Sequence, residues 1–222
     1  MNRKILIGAA VLAIALGAAW WLLGGRQEAE VTATDATGTS EYADVDTSSI
    51  TEMTMGSEDA KVTVTEYASF TCPHCATFHQ TTFQDLKRDY IDTGKVHFIY
   101  RDVYFDRVGL WASMLARCAG PVRFFGISDM LYKQQKDWLN SDDPVTISNN
   151  LRRIGKVAGL EEEQVNACLE DADKAETLLA WFNQNAEADD ISSTPTLLVN
   201  GEKYGNMPYD ELKAVIEEKL AE

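Results

Sequence analysis

From Lys61 to Phe70 the chain alternates, with Val62, Val64, Glu66 and Ala68 on one side and Thr63, Thr65, Tyr67 and Ser69 on the other. This period of two predicts a strand. Behind it Pro73 suits the first position of a helix, and Phe78, Phe83, Leu86, Tyr90 and Ile91 recur at helical spacing until Gly94. A helix from Pro73 to Asp92 is therefore expected. The β-rich stretch from Lys95 to Val103 completes a strand, helix, strand unit of the kind that pairs parallel strands through a crossover helix. Five helical patterns follow, at 108–119, 123–140, 145–158, 161–170 and 172–188, punctuated by Gly120-Pro121, Asp143-Pro144 and Gly159. Residues 196–199, the turn Asn200-Gly201 and residues 202–204 read as a hairpin. A last amphipathic helix opens at Pro208 and runs through Leu212, Val215, Ile216 and Leu220. The order predicts an α/β domain whose sheet is interrupted by an inserted α-helical domain at about 106–188.

Residues before this domain have another character. Arg3 and Lys4 precede an uncharged run from Ile5 to Leu23. As a helix that run would be about 28 Å long, close to the hydrocarbon thickness of a bilayer. A cleavable signal peptide usually has a shorter apolar core, although Gly17, Ala18 and Ala19 offer a cleavage site. Residues 1–26 are thus expected to be a signal anchor or signal peptide, with a retained anchor preferred. The paired cations hold the N-terminus on the cytoplasmic side, so everything after Arg26 is exported. No cysteine precedes Cys72, which rules out a lipid-modified N-terminal cysteine. From Gln27 to Ala60 there is no Lys or Arg, and acids, Thr and Ser dominate without apolar periodicity. Residues 27–50 are read as a disordered acidic linker and 51–222 as the folded domain.

The whole chain of 222 residues carries 35 acidic against 20 basic residues, a net charge of -15. That charge would repel phosphate backbones, so nucleic-acid binding is discarded. Solubility explains the acidity without a specific partner.

The chemistry-bearing motif is Cys72-Pro73-His74-Cys75. In an exported chain a C-x-x-C pair is either half of a zinc site or a redox dithiol. Zinc needs two further ligands, whereas Cys118 and Cys168 are single and lie in helical patterns, and His79 and His97 lack the spacing of a finger. No metal or cofactor is expected. Pro73 at the first helical position makes Cys72 the N-cap, so the free backbone N–H groups of His74 and Cys75 point toward its sulfur. Those donors and the helix dipole favour the thiolate of Cys72.

The stretch from Val64 to Phe78, VTEYASFTCPHCATF, resembles the DsbA family of thiol:disulfide oxidoreductases in the thioredoxin superfamily. The likeness covers about Met53 to Glu222 and includes the helical insertion followed by Thr194-Pro195-Thr196. It implies a thioredoxin-like fold, with Cys72 as the exposed attacking thiol, Cys75 as the buried resolving thiol, and His74 further stabilising the thiolate. The implied activity is that of an oxidase that introduces disulfides into reduced or unfolded exported proteins and is regenerated by a DsbB-type quinone-linked membrane protein. The expected location is periplasmic or otherwise extracytoplasmic, with a possible tether at residues 5–23. A monomer is expected, because no segment reads as a dimerisation domain. The rival readings are a disulfide isomerase, a reductase serving cytochrome c assembly, and a peptide-binding chaperone with an incidental dithiol.

Glu66 breaks the apolar alternation of its strand and is either a solvated edge position or a buried acid. The family has an acid at this offset, which favours a buried acid exchanging a proton with Cys75. X-Pro bonds are mostly trans, but the resemblance implies a cis Pro195 beside the dithiol. The backbone of Thr194 could then pair with an extended substrate. Thr194 departs from the apolar residue of the best-known family oxidases. Cys118 and Cys168 lie on apolar helix faces and are read as a structural disulfide in preference to two inert core thiols. His79 and His97 are assigned to surface and strand positions without a role.

Overall fold

The computed structural model describes residues 42–222, so the predicted anchor at 5–23 lies outside them. Among the described residues no helix is long and apolar enough to cross a membrane. Among the described residues five strands form one sheet: β1 (Met53–Met55), β2 (Val62–Ala68), β3 (Val96–Asp102), β4 (Thr196–Val199) and β5 (Glu202–Tyr204), in the order β1-β3-β2-β4-β5. β2 and β3 are parallel, and the remaining pairs are antiparallel. The expected strand, helix, strand unit is thus the centre of the sheet. β1 was not legible as a strand; it pairs antiparallel with β3.

The crossover between β2 and β3 is α1 (Pro73–Gln80), α2 (Thr82–Leu86) and a π-helical turn (Lys87–Ile91). The sequence pattern predicts one continuous helix here. Instead Thr81 leaves the helical region at φ -126° and ψ -90°, and the apolar stripe resumes after the break. Between β3 and β4 lie α3 (Arg107–Arg117), α4 (Pro121–Lys133), α5 (Gln135–Trp138), α6 (Pro144–Val157), α7 (Glu162–Glu170) and α8 (Ala172–Ala188). The predicted 123–140 helix is likewise divided, at Gln134. α9 (Tyr209–Ala221) ends the chain. The whole is an α/β thioredoxin-like core with an inserted helical subdomain.

One face of the sheet carries Val62, Val64, Glu66 and Ala68 beside Val96, Phe98, Tyr100 and Leu197, all fully buried. Leu115, Phe124, Leu131, Trp138 and Leu151 of the insertion belong to the same continuous apolar core. Burial at about 25 cal/mol per Å² of apolar surface therefore binds insertion and sheet together. Gly155 permits the close approach of α6: a Cβ there would stand 2.8 Å from Val165 and 2.9 Å from Leu115. Cys118 and Cys168 are bonded and tie the end of α3 to α7.

The first described residues depart from the linker reading. Gln184 of α8 donates to the carbonyls of Tyr42 and Val45 at 2.8 and 3.0 Å and accepts from Thr47 at 3.0 Å. Ile50 packs against Leu110, Met114, Leu178 and Trp181. Residues 42–50 are therefore seated on α3 and α8, held by a side chain far away in sequence that no local pattern reveals.

Candidate active site

The dithiol sits where the chain leaves β2 and enters α1. Cys72 closes the turn through its N–H to the carbonyl of Ser69 at 3.1 Å. Its extended backbone, φ -81° and ψ 120°, makes it the N-cap, with Pro73 following. The Cys72 sulfur accepts from the N–H of Cys75 at 3.5 Å, as the helix-start geometry predicts.

Both cysteines are free thiols and both are buried: Cys72, expected to be exposed, is only 8% accessible because it sits against the Thr194 carbonyl, and the two thiols differ sharply in what surrounds them. Donation from the Cys75 thiol lowers the Cys72 pKa from an ordinary 9.0 to about 5, helped by Thr194 and the N–H groups of Cys75 and His74, against the opposing effect of burial. Cys75 has no solvent exposure, and burial pushes its thiol far above the usual range, reinforced by its bond to Cys72 and the charge of Glu66. The side chain of His74 is exposed, and its backbone N–H is the part that acts on Cys72.

Glu66 occupies the centre of the buried sheet face, in register between Tyr100 and Leu197, with no exposure. It is a buried acid, not an edge position. Its Oε2 lies 2.8 Å from Nε2 of His79. The assignment of His79 to the surface is thus corrected: it is buried on α1, four residues after Cys75 and on the same helical face. That spacing, together with Phe83 four residues further, is the signal that could have placed it inside. His97 lies on the opposite face of β3, at the strand position expected for it.

The Thr194–Pro195 bond is cis, and the Thr194 carbonyl lies 3.6 Å from the Cys72 sulfur. The Thr194 hydroxyl is buried with no hydrogen-bond partner among the described residues. Gln135, which sequence reasoning missed, donates to the carbonyls of Phe70 and Cys72 at 2.8 and 2.9 Å. A residue of the insertion thus fixes the turn that presents Cys72. On the rim Thr71 donates to Asp106 at 3.1 Å, and the neighbouring Phe105 is 60% exposed. A groove of about 390 Å³ flanks α1 on the side of Met207 and Tyr209, lined also by Thr77, Phe78 and Thr81.

A buried acid, a low-pKa thiol at a helix start and a high-pKa thiol three residues on are an arrangement suited to thiol–disulfide exchange, set here in a thioredoxin-like fold. The profile described as thioredoxin matches residues 48–218, and the chain belongs to that family, in its DsbA-like branch. A putative protein-disulfide oxidoreductase of Rickettsia bellii is 36% identical over 176 residues, which are 77% of this chain and 65% of the relative. The chain spans less than two thirds of the length of the first Rickettsia relatives it matches. Disulfide bond formation protein D of Bacillus subtilis is 28% identical, with 75% of this chain and 76% of that protein covered. The crystal structure of Wolbachia pipientis alpha-DsbA1 superposes with a TM-score of 0.70 at 25% identity, covering 77% of this chain and 91% of that one.

Proposed function

We propose that the protein is a disulfide oxidase, which passes the Cys72–Cys75 disulfide to reduced exported proteins. The observation that carries this reading is the opposed perturbation of the two thiols. Holding Cys72 as thiolate stabilises the reduced dithiol relative to the disulfide, so the disulfide is readily given away. In the first step a substrate thiolate attacks Cys72, a new S–S bond forms, and the electron pair of the old bond goes to Cys75. Glu66 exchanges a proton with Cys75 as that sulfur leaves. A second substrate thiolate then attacks the substrate sulfur and releases Cys72, whose low basicity makes it a good leaving group. The backbone beside Pro195 offers an extended substrate a strand-like partner, and Phe105 offers it an apolar contact. Re-oxidation falls to a membrane protein of the quinone-linked DsbB type, and the site of action is extracytoplasmic.

The test gives the oxidised protein two substrates, one fully reduced and one with scrambled disulfides, and measures the redox potential against glutathione. Fast oxidation of the reduced substrate with slow unscrambling is expected. Efficient unscrambling with slow oxidation would replace the oxidase reading with an isomerase.

A further inference from the structure

The acid under the dithiol is one half of a pair. Cys75 and His79 lie one helical turn apart on α1 and face the same side of the sheet, from which Glu66 rises. The His79 ring is fixed between Tyr132, at 4.2 Å and 18° between planes, and Phe83, at 4.6 Å. This stacking points Nε2 at Oε2 of Glu66, while Oε1 has no partner among the described residues. We propose that His79 is a positioning residue that makes Glu66 a working acid–base group, the two holding one exchangeable proton that reaches Cys75 when its sulfur leaves the disulfide. The proposal rests on the oxidase reading and adds a residue to it.

The reason is charge. A carboxylate bonded to a neutral imidazole leaves one negative charge buried, and one further proton makes the pair neutral. In the oxidised protein Cys75 is uncharged and the neutral pair is the cheaper state. When a substrate thiolate breaks the Cys72–Cys75 bond, the bonding electrons would put a second anion beside the pair. Transfer of the held proton yields a Cys75 thiol, a substrate–Cys72 disulfide and a singly charged pair, so charge and atoms balance. In the reverse direction the Cys75 proton returns to the pair before its sulfur attacks.

The other titratable groups around the pair do not compete for this proton. The hydroxyls of Tyr100 on β3 and Tyr132 on α4 bond each other at 2.6 Å, and burial holds both pKa values well above the ordinary range. Asp102, further along β3, is bonded to Arg117. Cys72 is tied up in the disulfide when the proton is needed.

The test uses the full chain with His79→Gln, which keeps a donor toward Oε2 but takes no second proton, and His79→Phe, which fills the slot without a donor. Single-turnover oxidation of a thiol peptide is followed against pH and corrected for the peptide's own thiolate fraction. The wild-type rate should fall as pH rises through the titration of the pair. Both variants should lose that inflection and be about a hundredfold slower on its acid side, a common general acid–base contribution. Nitrogen NMR of His79 should show a different proton occupancy in the oxidised and reduced proteins at one pH. A His79→Gln protein with the wild-type rate and profile, or a His79 signal indifferent to the redox state, would overturn the proposal. A wild type that oxidises no peptide would instead sink the oxidase reading, and the NMR signal would still decide the proton pair.

Discussion

Removing the Cys75 thiol while keeping Cys72 isolates the main cause of the Cys72 thiolate. With a pKa of about 5 instead of 9.0, the thiolate fraction of Cys72 at pH 7 is about 99% instead of about 1%. Intrinsic nucleophilicity falls with basicity, at a Brønsted slope of about 0.4–0.5. Over this drop each thiolate becomes roughly 40 to 100 times less nucleophilic, which nearly cancels the gain in thiolate. Attack by Cys72 is thus hardly accelerated. What changes is its departure, the step an oxidase needs. Donation from the Cys75 thiol is the largest contribution. A hydrogen bond to a charged group is worth about 1.5–3 kcal/mol, which corresponds to about one to two pH units. Cys75→Ala should therefore raise the midpoint of Cys72 alkylation by about that much, whereas Cys75→Ser, which retains a donor, should leave it near the value for the reduced wild type. The rate of iodoacetamide modification against pH measures all three. A wild-type midpoint in the ordinary thiol range, or identical midpoints for the Ala and Ser variants, would refute the account of the site.

Stability of the reduced protein should depend on pH through the same thiol. The folded pKa of Cys72 is depressed, so its stabilisation is complete above about 9 and is lost as pH falls through about 5. Thermal unfolding of the reduced protein, compared with the oxidised one, should show this loss as pH falls from about 9 to about 5. The Cys118–Cys168 bond spans a sequence separation of 50. Its replacement by two alanines should cost about 4 kcal/mol in the chain-entropy picture, or roughly 8–16 °C in Tm. Arg117→Met would leave Asp102 buried without its partner, since the two side chains are only 5% and 1% exposed. A loss of about 3–5 kcal/mol is expected from denaturant unfolding, and an additional Asp102→Leu substitution should recover much of it.

Much of the site was legible because its features are local. The alternation of residues 61–70, the turn into Pro73 and the hairpin at Asn200-Gly201 each state their structure within ten residues, and Glu66 drew attention by interrupting an apolar face. The cis geometry of Pro195 came from the family likeness, because the residues alone favour trans. The missed features are made by long-range contacts. β1 is three residues long and exists through β3; residues 42–50 are held by Gln184. Thr81 breaks a helix whose periodicity carries on, because an apolar stripe reports which side is buried and not whether the backbone is continuous. His79 was assigned to the surface although its spacing from Cys75 and Phe83 places it in the buried stripe.

The helical insertion shapes the dithiol site and is not an added cover. Gln135 holds the carbonyls of the turn that presents Cys72, and Tyr132 backs the ring of His79 and bonds Tyr100 beneath the sulfurs. Both come from the insertion, whereas Glu66 comes from the strand before the dithiol and Cys75 and His79 from the helix after Cys72. A thioredoxin-like sheet alone would supply the helix start that favours the Cys72 thiolate. It would lack the clamp on the turn and one wall of the pocket around the buried pair. The two thiols differ because one accepts the N–H groups of a helix start and keeps a small residual exposure, while the other lies over an acid in a fully closed core. That closure is the joint product of sheet and insertion, whose apolar side chains form one continuous core.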